Sequence, residues 1–295
     1  MAYFCGHCMN PKLSLALGIF CIAFSPIFVK LSGAPALTSA FYRIFIGLLC
    51  LVPWCILKKK LKIDRHALLF AVLTGVVFGL DIAVWHLSLA KIGSTVSTLV
   101  ANLAPVWVGL LSFILFRKSS GVLFWTGTVV AIAGMAILVG FREVIALKFS
   151  TGILLAILAS LFYAIYIMLS KVILQKIEIV TFMFYNMLGA SLFLLALCGL
   201  EHSEMVALPA KSWFCFLGLG VICQVTGWLT INYALRFLNQ AEVSVTLLAQ
   251  TVLAAFFAAL FLSERLELKE IAGSIIVLAG IAVSFVKKPG EKIST

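Results

Sequence analysis

The chain opens on a stretch whose residue types announce chemistry, Cys5-Gly6-His7-Cys8. Two thiols at this spacing carry out thiol–disulfide exchange when the leading cysteine is held as a thiolate at a helix N-terminus. Farther in, Arg43 and Asp81 are ionisable groups embedded in apolar runs. Such groups cost about 2.5 to 3.5 kcal/mol each to insert into a bilayer, so they need a partner or a purpose. Around them stand polar, aromatic and helix-bending residues in apolar surroundings. These are Trp85, Thr98, Asn102 and Pro105 in the first half, and Tyr163, Tyr166, Gln224, Trp228 and Gln250 in the second. They are the candidates for binding a substrate or a coupling ion.

The elements that position them are membrane helices. Hydrophobic residues make up 63% of the 295-residue chain and charged residues 11%. A soluble domain carries about 25% charged residues, so this chain cannot cover a water-facing surface. A helix of about 20 apolar residues crosses a hydrocarbon core of roughly 30 Å. Ten runs qualify: residues 13–29, 38–57, 67–90, 95–116, 122–139, 151–170, 180–200, 213–233, 243–262 and 271–286. The connections are short and leave no room for a soluble domain. Small residues at Ser32-Gly33-Ala34-Pro35-Ala36 follow the first run as they would follow a signal peptide. The run is nevertheless taken as a span, because removing it would leave the two halves unequal.

The formal net charge is +11. With the amino terminus inside, Lys and Arg in the cytoplasmic connections, led by Lys58, Lys59, Lys60, Lys62 and Arg65, outnumber those outside by about two to one. This bias places both termini in the cytosol. It also assigns the basic excess to anionic lipid head groups, with no role for nucleic acid.

Cys5 and Cys8 then lie on a short tail on the reducing side of the membrane, with no βαβ pattern around them to lower a thiol pKa. Met9-Asn10-Pro11-Lys12 makes a second sound start just ahead of the first span. The remaining cysteines lie in or beside apolar runs as small hydrophobes.

The halves resemble one another. Thr126 to Ala136 aligns on Ala272 to Ala282, matching Gly127, Ala133, Gly134 and Ala136 with Gly273, Ala279, Gly280 and Ala282. The same alignment sets Pro105-Val106 over Thr251-Val252, and a small gap sets Trp85 over Trp228 and Asp81 over Gln224. Each half holds an odd number of spans, so the second enters the membrane upside down relative to the first. Inverted halves of this kind rock about a central site and open it to either side in turn. The recurring glycines, and Gly75 with Gly79, let helix backbones approach closely.

Depth brings the two charges together. At 1.5 Å per residue, Arg43 lies about 8 Å into the second span and Asp81 about 9 Å from the same edge in the third. The second half is neutral at both matching positions, Tyr185 or Asn186 for the arginine and Gln224 for the aspartate. Joint loss is what an ion pair requires, so an Arg43–Asp81 pair is expected, either fixing two helices together or serving a charged substrate or coupled proton. Trp85 and Ser88 share the helix face of Asp81, while His86 points elsewhere. Trp85 is either an interfacial anchor or a cavity wall. Pro105 is expected to free the carbonyl of Ala101 and bend the fourth span, with Thr98 and Asn102 on the same face. Tyr163, Tyr166 and Ser170 share one face of the sixth span, and Thr246 and Gln250 one face of the ninth.

The stretches Asp81 to Ala90 and Ser97 to Val106, with Ser263-Glu264-Arg265-Leu266, Ile271-Ala272-Gly273 and Leu278-Ala279-Gly280, resemble the drug/metabolite transporter superfamily, and within it the EamA-type ten-helix transporters. The resemblance implies an all-α integral membrane fold of ten transmembrane helices in two inverted five-helix repeats around a central cavity. It further implies export or exchange of small polar metabolites such as amino acids. The chain departs from the family pattern at Ala104, at Gln250-Thr251 and at Phe116-Arg117-Lys118.

The expected organisation is a cytosolic tail over residues 1–12, a first repeat over 13–146, a second over 147–288 and a short tail over 289–295. No phosphate loop, paired metal ligands or nucleophile elbow is present in the sequence, so no catalytic residue, metal or cofactor is expected. The chain therefore reads as an inner-membrane secondary transporter, an exporter of a small polar metabolite by alternating access. It would act as a monomer or weak homodimer, driven by the substrate gradient or by proton exchange. Import or antiport of a nucleotide-like cofactor or drug is the rival mechanism, and a membrane redox or assembly protein built on Cys5 and Cys8 is the rival class.

Overall fold

The computed structural model describes residues 9–92, 97, 100–117, 121–139, 150–262 and 268–284. Cys5, Cys8, Thr98 and the Ser263-Glu264-Arg265-Leu266 stretch lie outside them. The described residues contain helices and no strand. The order is α1 Pro11–Ile22, α2 Ser25–Ser32, α3 Ala36–Leu57, α4 Arg65–Ile92, α5 Ala104–Phe116, α6 Val122–Val139, α7 Thr151–Leu174 and α8 Ile179–Leu200. Then come α9 Ala210–Gly218, a π-helical stretch over Leu219–Gly227, α10 Trp228–Phe237, α11 Gln240–Thr246, α12 Ala249–Leu262 and α13 Leu268–Ser284.

Helix starts carry the expected signals. Asn10 caps α1 with Pro11 in its first turn, and Ser150 caps α7. Seven helical stretches among the described residues are long and apolar enough to cross a membrane, with α5 and α6 as shorter apolar helices. Leu13, Leu57, Leu69, Leu200, Phe214 and Leu260 are exposed, which is the surface of a protein whose solvent is hydrocarbon.

The spans are less continuous than the apolar runs suggest. The first run divides into α1 and α2 around Ala23 and Phe24. Pro26 has no N–H to offer the carbonyl of Ile22, so the ladder cannot pass through unbroken. In the fourth run, Asn102 and Leu103 form a turn and α5 begins at Ala104. Pro105 therefore stands in the first turn of a new helix, where its missing N–H costs nothing, and not at a bend within one continuous helix as the sequence suggested. The ninth run breaks at Leu247 and Leu248, where Leu248 N–H donates to Val245 and Gln250 N–H to Leu247 in tightened turns. No proline is involved, so this break has no composition signal.

Packing brings the halves into contact. Helix α6 lies along α13, the two stretches that align in sequence. A Cβ on Gly127 would stand 2.5 Å from the carbonyl oxygen of Gly280, and one on Gly134 would stand 2.6 Å from the nitrogen of Val277. The glycines are thus what lets these backbones touch. Helix α4 packs on α7 and α8, the π stretch packs on α1 and α3, α10 packs on α1, and α3 packs on α8.

Candidate functional site

The breaks in the first, fourth and ninth spans border one cavity of about 100 Å³. Ile22, Ala23, Ser25 and Pro26 come from the α1–α2 break, Ala101 and Asn102 from the turn before α5, and Gln250 and Thr251 from the start of α12. Arg43 of α3, Phe78, Asp81, Ile82 and Trp85 of α4, Tyr163 of α7, Trp228 of α10 and Ala254 of α12 complete the wall. A largely apolar space this size, with a few polar groups at its wall, holds several waters beside those groups or a compact solute, at roughly 10–15 Å³ per water by the same measure.

The charged groups face the cavity on unequal terms. Arg43 is buried, and its Nε donates to Oε1 of Gln224 at 3.2 Å while Nη1 donates to Oγ of Ser25 at 3.0 Å. Asp81 lines the same cavity, yet among the described residues no donor bonds its carboxylate and no cation lies within 4.0 Å of it. The direct Arg43–Asp81 ion pair expected from the sequence is therefore not formed. Ser25, brought in by the broken first span, and Gln224 take the guanidinium instead, and Asp81 is left facing open space. Gln224 is the residue that the repeat alignment sets over Asp81, so the two matched positions serve one site from opposite halves.

A second polar centre joins the broken fourth and ninth spans. Asn102 Nδ2 donates to Oγ1 of Thr251 at 2.7 Å, and Gln250 Nε2 donates to Oδ1 of Asn102 at 3.2 Å. Both amide ends of Asn102 are thus used across the bundle and do not answer carbonyls of their own helix. Asn102→Leu takes the donor from Thr251 Oγ1, which keeps only its long contact to Met135 Sδ at 4.0 Å, and the acceptor from Gln250 Nε2, at about 1–3 kcal/mol for each buried group left unpaired. The expected result is a clear loss of thermal stability of the purified protein in detergent, while Ala101→Ser, one residue away, leaves the midpoint nearly unchanged.

The remaining wall is aromatic. Phe78 meets Trp228 edge to face at 4.8 Å between centroids, and Tyr163 meets the same ring at 6.0 Å. Trp228 lines the cavity, while its Nε1 is buried and has no hydrogen-bond partner. Trp85 also lines the cavity, one helical turn from Asp81.

Arg43, Asp81, Trp85, Asn102, Tyr163, Trp228 and Gln250 are thus brought together, with Gln224 one hydrogen bond behind. Tyr166 and Pro105 are not at the wall. Tyr166 is buried behind it, stacked on Phe78 and accepting a bond from Asn232 Nδ2 at 3.3 Å. Pro105 starts α5. His86 turns away, its Nδ1 on the carbonyl of Ile82 at 2.8 Å, and Ser88 donates to Gly152 on α7 at 2.8 Å. Thr98 lies outside the described residues.

Sequence reasoning missed Ser25, Pro26, Phe78 and Thr251. A Ser-Pro step in the middle of an apolar run was the available signal for the first two. No group of three His, Cys, Asp or Glu able to hold a metal occurs among the described residues.

A model of the EamA-like transporter family matches this chain over residues 11–140 and again over 150–286. Among similar proteins, the uncharacterized transporter YdfC of Bacillus subtilis is 23% identical over 93% of this chain and 90% of its own length. An uncharacterized transporter of Archaeoglobus fulgidus is 24% identical over 88% of this chain and 90% of its own. A solved crystal structure with 17% identity superimposes with a TM-score of 0.78, covering 93% of this chain and 96% of the other. At that identity the superposition speaks to the fold alone.

Proposed function

We propose, for a chain that belongs to the EamA-like transporter family and is a multi-pass membrane transporter, that its cargo is a small zwitterionic metabolite such as an amino acid, exported across the inner membrane by alternating access. The observation that carries this reading is a single cavity offering both an unpartnered carboxylate and a guanidinium with spare N–H donors. Asp81 suits an ammonium group and Arg43 a carboxylate, while the aromatic wall takes an apolar side chain. A cavity of about 100 Å³ favours a compact solute over a nucleotide-like cofactor or large drug.

The ten-helix arrangement in two inverted five-helix repeats belongs to the same proposal, as do both termini in the cytosol. Exchange of contacts between the halves supports it. The third span meets the sixth and seventh, and the eighth meets the first and second, which is the pairing a two-fold relation between halves generates. Discontinuous helices at the cavity are the usual mark of a transporter site, because unwound backbone is tolerated at depth where it lines water or substrate.

Counterflow into proteoliposomes tests the reading. Vesicles loaded with a mixture of amino acids should accumulate at least one labelled amino acid above the rate of empty vesicles. No exchange with any amino acid, alongside exchange with a nucleotide-like or drug solute, would move the function to the rival class of cargo. Replacing Cys5 and Cys8 together by serine should leave counterflow within about twofold of the parent, since the described residues that line the cavity run from Ile22 to Ala254. Loss of activity in that variant would favour a redox role for the tail.

A further inference from the structure

A basin of about 550 Å³ lies away from the central cavity, between the α3–α4 connection and the α7–α8 connection. Lys58, Lys59, Lys60, Lys62 and Lys176 line it, against only Asp64 and Glu178. The two carboxylates are already engaged. Glu178 Oε1 accepts from Lys60 Nζ at 2.7 Å, and Asp64 Oδ2 accepts from the backbone N–H of His66 at 3.0 Å at the start of α4. Lys58, Lys59, Lys62 and Lys176 make no ion pair among the described residues, so the basin keeps a positive excess.

The basin is built and not merely charged. Helix α3 ends where Lys59 turns into the left-handed region at φ 52° and Lys60 N–H reaches back to the carbonyl of Cys55 at 2.9 Å. The connection beyond is pinned by Thr181 Oγ1 donating to the carbonyl of Lys60 at 2.8 Å and Tyr185 Oη donating to that of Leu61 at 2.6 Å. The long helices α4 and α8 both start at its wall, and their N-terminal dipoles add to the positive field. Ile56 and Leu57, next along the chain from Lys58, and Leu69, two residues past Ala67, are exposed apolar residues, as expected where hydrocarbon meets head groups.

We infer that this basin is a binding site for the phosphate head group of an anionic phospholipid. Four ammonium groups outside any ion pair, Lys58 among them with its Nζ 5.6 Å over the Trp54 ring, recognise the phosphodiester charge, and the exposed apolar residues next along the chain accommodate acyl chains. These apolar residues are what select a lipid over a free phosphate, which has nothing to place there. The inference does not depend on the cargo proposed above.

Native mass spectrometry of the full chain, released from micelles containing phosphatidylglycerol and phosphatidylcholine at equal concentration, tests it. The expected result is preferential retention of phosphatidylglycerol, at about fivefold per lysine engaged. The variant carrying K58Q, K59Q, K62Q and K176Q should show near-equal retention of the two lipids, and K211Q, at the start of α9, should behave as the parent. If the fourfold variant does not fold, the pair K59Q and K62Q should still reduce the preference by about 25-fold. Parity between the lipids in the parent, or undiminished preference in the basin variants, overturns the site. Displacement of phosphatidylglycerol by inorganic phosphate at millimolar concentration reassigns it to a free phosphate.

Discussion

Asp81→Asn is expected to reduce substrate counterflow in proteoliposomes by about 100-fold or more, with little change in the amount of folded protein recovered. The carboxylate lines the central cavity and has no hydrogen-bond or ion-pair partner among the described residues, so its removal breaks no internal contact. What it removes is the group that would pair with a cationic substrate end, and truncating one side of a desolvated charge pair costs about 2–5 kcal/mol. Asp81→Glu should retain part of the activity, because the charge survives while its reach changes. A second readout separates substrate binding from ion coupling. If Asp81→Asn still exchanges substrate down a gradient but no longer accumulates it against one when a proton gradient is imposed, the carboxylate carries the coupled proton. Wild-type counterflow in Asp81→Asn would remove the residue from the mechanism altogether.

Arg43→Gln is the second large effect, and here stability and transport should both fall. The guanidinium donates to Ser25 at the broken first span and to Gln224 in the π stretch, so it links three separate segments. Its loss also leaves Asp81 without a counter-charge at the same cavity. The expected destabilisation is about 2 kcal/mol, below the 3–5 kcal/mol of a sealed pair because Asp81 borders a cavity roomy enough for water to hydrate the carboxylate. The sign of the coupling follows. Adding Asp81→Asn to Arg43→Gln removes the uncompensated charge, so the double variant should unfold at a higher temperature than Arg43→Gln alone. It reproduces the neutral state of the second half, where Tyr185 or Asn186 and Gln224 stand at the matching positions. Thermal unfolding of the four proteins in one detergent measures the cycle. A double variant no more stable than Arg43→Gln would mean that the two charges do not act on one another.

The expected cost of Asn102→Leu has a different origin. Asn102, Thr251 and Gln250 are neutral, and they tie the broken fourth span to the broken ninth through hydrogen bonds alone. Arg43 and Asp81 give the cavity its charge, whereas the Asn102 centre gives it a shared wall between the two halves.

The amino-acid sequence by itself determined that this chain lives in a bilayer, that its halves resemble one another, and that Arg43 and Asp81 are out of place in hydrocarbon. Hydropathy is a property each residue carries alone, and an unpaired backbone is forbidden in lipid, so apolar runs of sufficient length become helices whatever their neighbours. The aligned glycines of α6 and α13 were legible for the same reason, since a close backbone approach admits no side chain at Gly127, Gly134 or Gly280. The partner of Arg43 was not legible. Equal depth in the membrane left its azimuth around the bundle open, and packing of α3 on the π stretch turned it toward Gln224, while the broken first span supplied Ser25. Nor did the run 243–262 disclose its break at Leu247 and Leu248, for no proline or glycine marks it. Only the tertiary structure decided which polar residues meet, because a break in a membrane helix survives only where another segment or a cavity satisfies the backbone it exposes.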